Sequence, residues 1–285
     1  MTGGDKREKR RVKRANLVIT IILCAVAALF LLPLLLVFFN SFKFKLDIIN
    51  SPFEFPSAES FAGLKNYTNG LAAAGFFKAA GFSTFITLFS TALIVLFSSM
   101  AAWFITRRRG VLCKTLYFAF TFAMIVPFQM VMFPLTLVAN LLHIDNPIGI
   151  LFIYLGFGAG TSVFLYSGFV KSIPAAIEEA AVIDGCTPVR AFFSIVMPML
   201  TPISIIVAIL NTMWIWNDYL LPSLIIGSEY RTIPVAVQYL LGGCGSVDMG
   251  YMMAVITAAL IPVIIFYLFC RKYIIRGVTA WTVKG

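Results

Sequence analysis

The chain has 285 residues, of which 60% are hydrophobic and only 12% are charged. A soluble protein carries about 25% charged residues, so the composition excludes a soluble domain and indicates that most of the chain is solvated by lipid. The net charge of +10 does not indicate nucleic acid, because the basic residues flank apolar runs and do not form one patch. Membrane lipid is the expected surrounding, and no nucleic-acid partner is expected.

A basic tail opens the chain, since seven of the 22 basic residues lie within residues 1–16. The apolar run that follows exceeds the roughly 7–15 residues of a signal-peptide core and has no small-residue cleavage site, so we predict an uncleaved span. A crossing needs roughly 20 apolar residues. By that criterion residues 17–285 form a transmembrane domain with six spans: Leu17–Phe39, Phe82–Thr106, Thr115–Leu142, Ile148–Val170, Pro202–Leu221 and Gly250–Cys270.

The loop charges predict an orientation. Placing the amino terminus in the cytoplasm puts 17 of the 22 basic residues on the cytoplasmic side, so both termini are predicted to be cytoplasmic. Prolines inside spans should kink their helices, and small residues should let helices approach closely. The prolines are Pro33, Pro127, Pro134 and Pro262, and the small residues are Gly156, Gly158, Gly160 and Gly168.

One cytoplasmic connection, residues 171–201, predicts a helix–turn–helix on the membrane face. Ser172 is a favourable N-cap for the first helix, with Pro174 in its first turn. Gly185 is predicted to end that helix in the left-handed conformation. Thr187 should cap a second helix that runs to Pro198.

The first of these helices carries acidic and small side chains. Glu178, Glu179 and Asp184 supply the charges, while Ala180 and Ala181 give a flat surface. A helix that rests on lipid headgroups usually has Lys and Arg on its polar face. Because an acidic helix is repelled by anionic lipid, a basic protein partner is the favoured interpretation.

The stretch Glu179–Gly185, followed by Ile195–Pro198, resembles the EAA motif of bacterial ABC importer permeases, with Met197 where the family usually has leucine. Gly168-Phe169 with Ser172-Ile173-Pro174, Trp216-Asn217-Asp218 with Leu221-Pro222, and Gly277–Gly285 are similar to segments of the carbohydrate, maltose-type branch, although Trp281 and Thr282 depart from its usual small residues. The resemblance covers the chain from about Leu17 onward.

The resemblance implies the type I permease fold of ABC importers, in a bacterial inner membrane. It implies import of a sugar, a di- or oligosaccharide, delivered by an extracytoplasmic binding protein. The partners would be a second homologous permease and two copies of a cytoplasmic ATPase. No GxxxxGK[ST] sequence occurs in this chain, so it holds no cofactor, is not itself an enzyme, and leaves ATP and Mg to the ATPase. The ATPase-coupling residues would be Glu178, Glu179, Ala180, Ala181, Asp184, Gly185 and Pro198.

Sugar contacts are less visible in the sequence. Neutral sugars are held by aromatic faces and neutral hydrogen-bonding groups, although interhelical bonding or an aromatic belt is the more common role of such residues. Asp218 is the acidic residue nearest a span interior. The substrate-pathway candidates are Gln129, Asn211, Asn217, Asp218 and Tyr219, with Asn140, Tyr166 and Tyr251 as further polar residues.

Two further segments carry expectations from the resemblance. The long external connection, residues 223–249, has a glycine-rich tip at Gly242, Gly243 and Gly245, expected to contact the binding protein, unless it is an ordinary solvated loop. The tail Gly277–Gly285 is expected to be extended and to reach the ATPase interface, unless it is a frayed terminus.

Two other function classes make different demands on the sequence. A transporter driven by an ion gradient is the alternative, but it would need buried carboxylates within spans, and only Asp218 comes near to that. An intramembrane enzyme would need a motif such as HExxH or GxSxG, and neither occurs. The single His143 and five scattered cysteines predict no metal site.

Overall fold

The computed structural model describes residues 3–242 and 248–282, with side chains described for residues 16–240 and 248–273. Within these ranges the regular structure is helical, apart from one isolated bridge between Lys43 and Phe61. The predicted all-α class is therefore confirmed. The chain divides into two compact units: Met1–Ala74 with Tyr239–Ile261, and Gly75–Gln238 with Pro262–Gly285.

The first unit contains α1 (Gly3–Asn40), α2 (Lys45–Asn50), α3 (Lys65–Ala73) and the start of α14 (Met249–Thr282). Buried polar side chains stabilise the segment that follows α1. The Lys43 Nζ donates to the carbonyl of Ser51 at 2.8 Å. The Asn66 side-chain amide donates to the carbonyls of Ser41 and Lys43 at 2.9 and 2.8 Å. These bonds satisfy backbone groups that no regular ladder satisfies.

The second unit contains the larger helical bundle. Its helices, in chain order, are α4 (Phe76–Arg107), α5 (Val111–Ile125), α6 (Phe128–Leu141), α7 (Gly149–Val170), α8 (Ala175–Ile183), α9 (Pro188–Ala191), a π-helix (Phe192–Val196), α10 (Met197–Met199), α11 (Thr201–Asn217) and α12 (Leu220–Ile225). α13 (Ile233–Gly242) follows. Helix α7 packs along α4, α5 and α11 around a core that includes Ile86, Ile94, Val163 and Val207.

Two glycines explain how closely α7 packs in this unit. A Cβ at Gly158 would lie 2.5 Å from Ile94 Cδ1, and one at Gly160 would lie 2.8 Å from the carbonyl oxygen of Phe120. Such approaches are typical of membrane helices, whose association relies on close van der Waals contact. A Cβ at Gly156 or Gly168 would meet nothing within 4 Å, so close packing requires only half of the predicted glycines.

In the part of the chain that the structure describes, four helices are long and apolar enough to cross a membrane: Asn16–Asn40, Phe76–Arg107, Gly149–Val170 and Met249–Tyr273. Two bent pairs raise the number to six if each pair is one span. The pairs are Val111–Ile125 with Phe128–Leu141, bent by 106°, and Pro188–Met199 with Thr201–Asn217, bent by 78°.

The span predicted over Thr115–Leu142 is broken into two helices, a much sharper change of direction than the kink expected at Pro127. The break falls at Val126, whose φ of −70° and ψ of 116° are extended. The residue before a proline is driven out of the helical region, and Pro127 has no N–H to continue the ladder. Pro33, Pro134 and Pro262, in contrast, lie inside helices.

The helix predicted over Pro202–Leu221 also ends early, at Asn217. Asp218 is extended, and its Oδ1 accepts from the backbone N–H groups of Leu220 and Leu221, at 3.0 and 3.4 Å. This carboxylate caps the start of α12, which explains why a new helix begins there.

In the 171–201 segment, two of the predicted local signals are confirmed. Gly185 ends α8 with a φ of +81°, and the Thr187 hydroxyl accepts from the N–H of Arg190 at the start of α9. Ser172 is not the N-cap: its hydroxyl donates to the carbonyl of Phe169, and Pro174 takes the cap position. The second helix becomes a π-helix at Phe192–Val196, just before Pro198, which removes a helical donor.

The connection predicted as a long external loop, residues 223–249, contains the end of α12 and all of α13. Gly242 is the last residue of α13, while Gly243 and Gly245 lie outside the described residues. The tail prediction needs a correction, because α14 continues to Thr282 and residues 277–282 are helical, not extended. A single glycine costs a helix only about 1 kcal/mol, so Gly277 does not end it.

Candidate functional site

Most of the residues predicted to dock a partner lie on the surface of the second unit. Glu179, Ala180, Asp184, Gly185 and Pro198 are exposed, whereas Ala181 is buried and does not contribute to a flat outer surface.

Large apolar side chains share this surface. Val182, Ile183 and Val189 expose 62%, 86% and 65% of their areas. Val182 and Ile183 directly precede the exposed Asp184, and Ile183 follows the exposed Glu179 by about one helical turn. Exposed apolar residues next to charged ones are typical of surfaces that bind another protein.

Glu178 departs from the expectation of an exposed carboxylate. Its Oε1 accepts from the Arg107 Nε at 2.8 Å and lies 2.7 Å from the second guanidinium nitrogen, while its Oε2 accepts from the Trp103 Nε1 at 2.9 Å. Both of its oxygens are thus bound by α4. The neighbouring Glu179 is exposed, so the structure separates two carboxylates that the sequence prediction grouped.

Trp103 and Arg107 are site residues that sequence reasoning missed. Arg107 was counted only among the charges that set orientation, yet it also donates to the carbonyl of Ile173 at 2.9 Å. The Trp103 ring packs on Phe192, with ring centroids 5.5 Å apart. The signal in the sequence was the spacing of Trp103 and Arg107, four residues apart on one face of a helix end.

Two of the predicted substrate residues have structural partners. Asn211 is buried, and its amide donates to the Ser162 hydroxyl at 3.1 Å and to the carbonyl of Val207 at 2.8 Å. Asp218 caps α12 and accepts from the hydroxyl of the fully buried Tyr154 at 2.9 Å. Interhelical hydrogen bonding therefore accounts for both residues.

The other three candidates, Gln129, Asn217 and Tyr219, are exposed. The Asn217 amide donates to the carbonyl of Met213, which leaves its side-chain oxygen exposed. Asn217 and Tyr219 flank Asp218 at the junction of α11 and α12, whereas Gln129 lies in the first turn of α6.

The further polar residues also have hydrogen-bond partners within the protein. Asn140 donates to the carbonyl of Thr136, the Tyr166 hydroxyl to Ser204, and the Tyr251 hydroxyl accepts from Asn69. A shallow cavity of about 600 Å³ lies elsewhere, and none of the predicted substrate residues lines it. Among residues 16–240 and 248–273, whose side chains are described, no group of three or more His, Cys, Asp or Glu could hold a metal.

Several apolar helices define a multi-pass membrane protein, with an exposed acidic connection between two helices of its second unit. Residues 94–280 match the family described as the binding-protein-dependent transport system inner membrane component, and the chain belongs to this family of transport permeases.

The relatives are similar over nearly their whole length. The chain is 36% identical to the probable starch degradation products transport system permease protein AmyC of Thermoanaerobacterium thermosulfurigenes, covering 96% of this chain and 99% of the relative. It is 35% identical to the multiple sugar-binding transport system permease protein MsmG of Streptococcus mutans, covering 90% and 92%. It is 31% identical to the melibiose/raffinose/stachyose import permease protein MelC of Bacillus subtilis, covering 94% and 96%.

The fold is similar to that of a solved chain from a bacterial ABC transporter involved in the import of the acidic polysaccharide alginate. The TM-score is 0.78 at 22% identity, covering 93% of this chain and 98% of the other. The resemblance to permeases of carbohydrate ABC importers is confirmed. The alternative of a gradient-driven transporter has no support among these findings.

Proposed function

We propose that this chain carries a di- or oligosaccharide across a bacterial inner membrane, with both termini in the cytoplasm. The names of the relatives support this substrate class: starch degradation products for one, and melibiose, raffinose and stachyose for another. The proposed assembly contains a second homologous permease, two copies of a cytoplasmic ATPase and an extracytoplasmic sugar-binding protein. ATP and Mg belong to the ATPase.

The observation that carries the proposal is the exposed surface of α8 and the turn after it. Glu179 and Asp184 offer free carboxylates, and Val182 and Ile183 offer apolar area that a groove on the ATPase would remove from water. Basic residues at the rim of that groove would pair with the two carboxylates. The left-handed turn at Gly185 has no Cβ, which lets a partner backbone approach closely.

The position of this surface in the chain supplies the mechanism. Helix α8 is joined to α7 through residues 171–174 and to α11 through α9, the π-helix and α10. Closure of the ATPase dimer therefore pulls directly on two spans, and binding at α8 shifts the equilibrium between two arrangements of the bundle.

For the sugar we propose Asn217 and Tyr219 as contacts, because both are exposed at the junction of α11 and α12 and offer neutral hydrogen-bonding groups. Gln129 is a further contact of this kind. Asp218 and Asn211 are proposed to hold neighbouring helices together through their hydrogen bonds and not to contact the sugar. The tip at Gly242, Gly243 and Gly245 is proposed to meet the binding protein.

Uptake of labelled mono-, di- and trisaccharides in a strain that lacks the gene tests the substrate class. We expect loss of di- or trisaccharide uptake, restored by the wild-type chain and by the control Thr68→Ala, a substitution of an exposed residue on α3 outside every proposed site. Unchanged uptake of all three sizes in the deletion strain would contradict the proposal.

A further inference from the structure

The carboxyl-terminal end of α4 contacts the 171–201 segment at three places. Arg107 and Trp103 bind Glu178 on α8, and Arg107 also binds the carbonyl just before α8 at 2.9 Å. Trp103 packs on Phe192 in the π-helix that leads to α11. Two side chains one helical turn apart thus contact the chain before, within and after the proposed docking helix.

This attachment is stronger than the remaining packing of α8. Only one residue of the helix, Ala181, is buried, and a nine-residue helix is marginal without tertiary contacts. The Arg107 and Glu178 side chains expose only 21% and 14% of their areas, so solvent screens their attraction little. Hydrogen bonds to an ionised carboxylate are also about twice as strong as neutral ones.

We propose that Arg107 and Trp103 are positioning residues that couple α8 to α4, so that a pull on the docked helix moves a third span besides α7 and α11. This inference rests on the proposed docking of the ATPase at α8. Because α4 packs along both α7 and α11, the coupling makes the three helices move as one body. The two adjacent carboxylates then have different roles: Glu179 binds the ATPase, and Glu178 transmits the motion of α8 to α4.

The first test needs no partner. Amide hydrogen exchange in the isolated permease reports the opening of α8, residues 175–183. Arg107→Ala and Glu178→Gln should each accelerate exchange there by about tenfold, the effect of losing a close coupled pair. The matched control is Arg108→Ala, since Arg108 contacts Phe104 on its own helix and should leave exchange unchanged. Equal protection of α8 in Arg107→Ala and wild type would overturn the attachment.

The second test separates transmission from docking in the reconstituted complex, by counting sugar molecules moved per ATP hydrolysed. Glu178→Gln should retain the ATPase but lower this ratio by about three- to tenfold. Glu179→Gln should instead weaken ATPase retention and leave the ratio of the remaining complexes unchanged. The charge-swapped pair Arg107→Glu with Glu178→Arg should recover part of the ratio, which a general loss of structure would not allow.

The two proposals fail in different ways. If the Glu179 and Gly185 variants hold the ATPase as wild type does, the docking site is wrong and the inference falls with it. If those variants release the ATPase while Glu178→Gln keeps a wild-type ratio, docking stands and the coupling through α4 is overturned.

Discussion

The substitution Gly185→Asp tests docking with little effect on folding. Gly185 has a φ of +81°, so an L side chain there costs roughly 1–2 kcal/mol of backbone strain. A Cβ at this position would meet nothing within 4 Å, so no clash adds to that cost. Against a stability of about 5–15 kcal/mol, the permease should remain folded in the membrane.

Docking should respond much more strongly. In a closed interface the new carboxylate loses its water and lies beside Asp184, and leaving a charge unpaired costs about 3–5 kcal/mol. That corresponds to a weakening of ATPase binding by roughly 100-fold or more. The assay is co-purification of the ATPase with the tagged permease, together with sugar uptake.

The matched control is Gly75→Asp. Gly75 is also exposed and left-handed, with a φ of +60° and nothing within 4 Å of a built Cβ, but it precedes α4 and lies outside the 171–201 segment. It should keep both ATPase retention and uptake. Wild-type uptake by Gly185→Asp would refute the reasoning, as would an equal loss in both variants.

Three further predictions concern packing and the carboxyl terminus. Asp218→Ala removes the cap of α12 and leaves the buried Tyr154 hydroxyl without its acceptor. Thermal unfolding in detergent should show a loss of about 2–4 kcal/mol in the free energy of unfolding. The control Asn217→Ala should change it by less than about 1 kcal/mol. Gly158→Ala drives a methyl group into the side chains of the neighbouring helices and should lower the free energy of unfolding by about 1–3 kcal/mol. The control Gly156→Ala places its methyl group in open space and should be neutral or stabilising. Equal effects of the two substitutions would show that α7 packs differently. Deleting the last five residues should lower transport-coupled ATP hydrolysis, and an unchanged rate would favour a tail without function.

Local sequence signals predicted the 171–201 segment where the chemistry is local. A glycine in the left-handed region and a threonine N-cap need only neighbouring residues, and both Gly185 and Thr187 adopt the predicted roles. Ser172 carries the same kind of signal, yet its hydroxyl bonds back to the preceding turn. A side chain can cap a helix only at the residue where the helix begins, and for α8 that residue is Pro174. The residue before a proline is disfavoured in the helical region, so the helix does not start earlier.

Tertiary placement was beyond local reasoning. The four prolines within predicted spans all predict a kink, but of these only Pro127 lies at a helix break. The difference depends on whether the surrounding helices provide a hydrogen-bond partner for the backbone carbonyl that each proline leaves free. Glu178 and Glu179 are equal in sequence terms and differ only in which of them faces α4. Asp218 was a candidate for sugar because it is the acidic residue nearest a span interior; its structural partner, Tyr154, lies 64 residues away along the chain, beyond the reach of local sequence signals.

The central claim is that sugar movement through this chain is driven by ATP at a docked partner. The most direct measurement is uptake of labelled disaccharide into vesicles that contain the reconstituted complex, with and without internal ATP and with ionophores that collapse proton and sodium gradients. The account predicts uptake that requires ATP and the binding protein and is unaffected by ionophores. Uptake that continues without ATP and stops when the gradients collapse would contradict it.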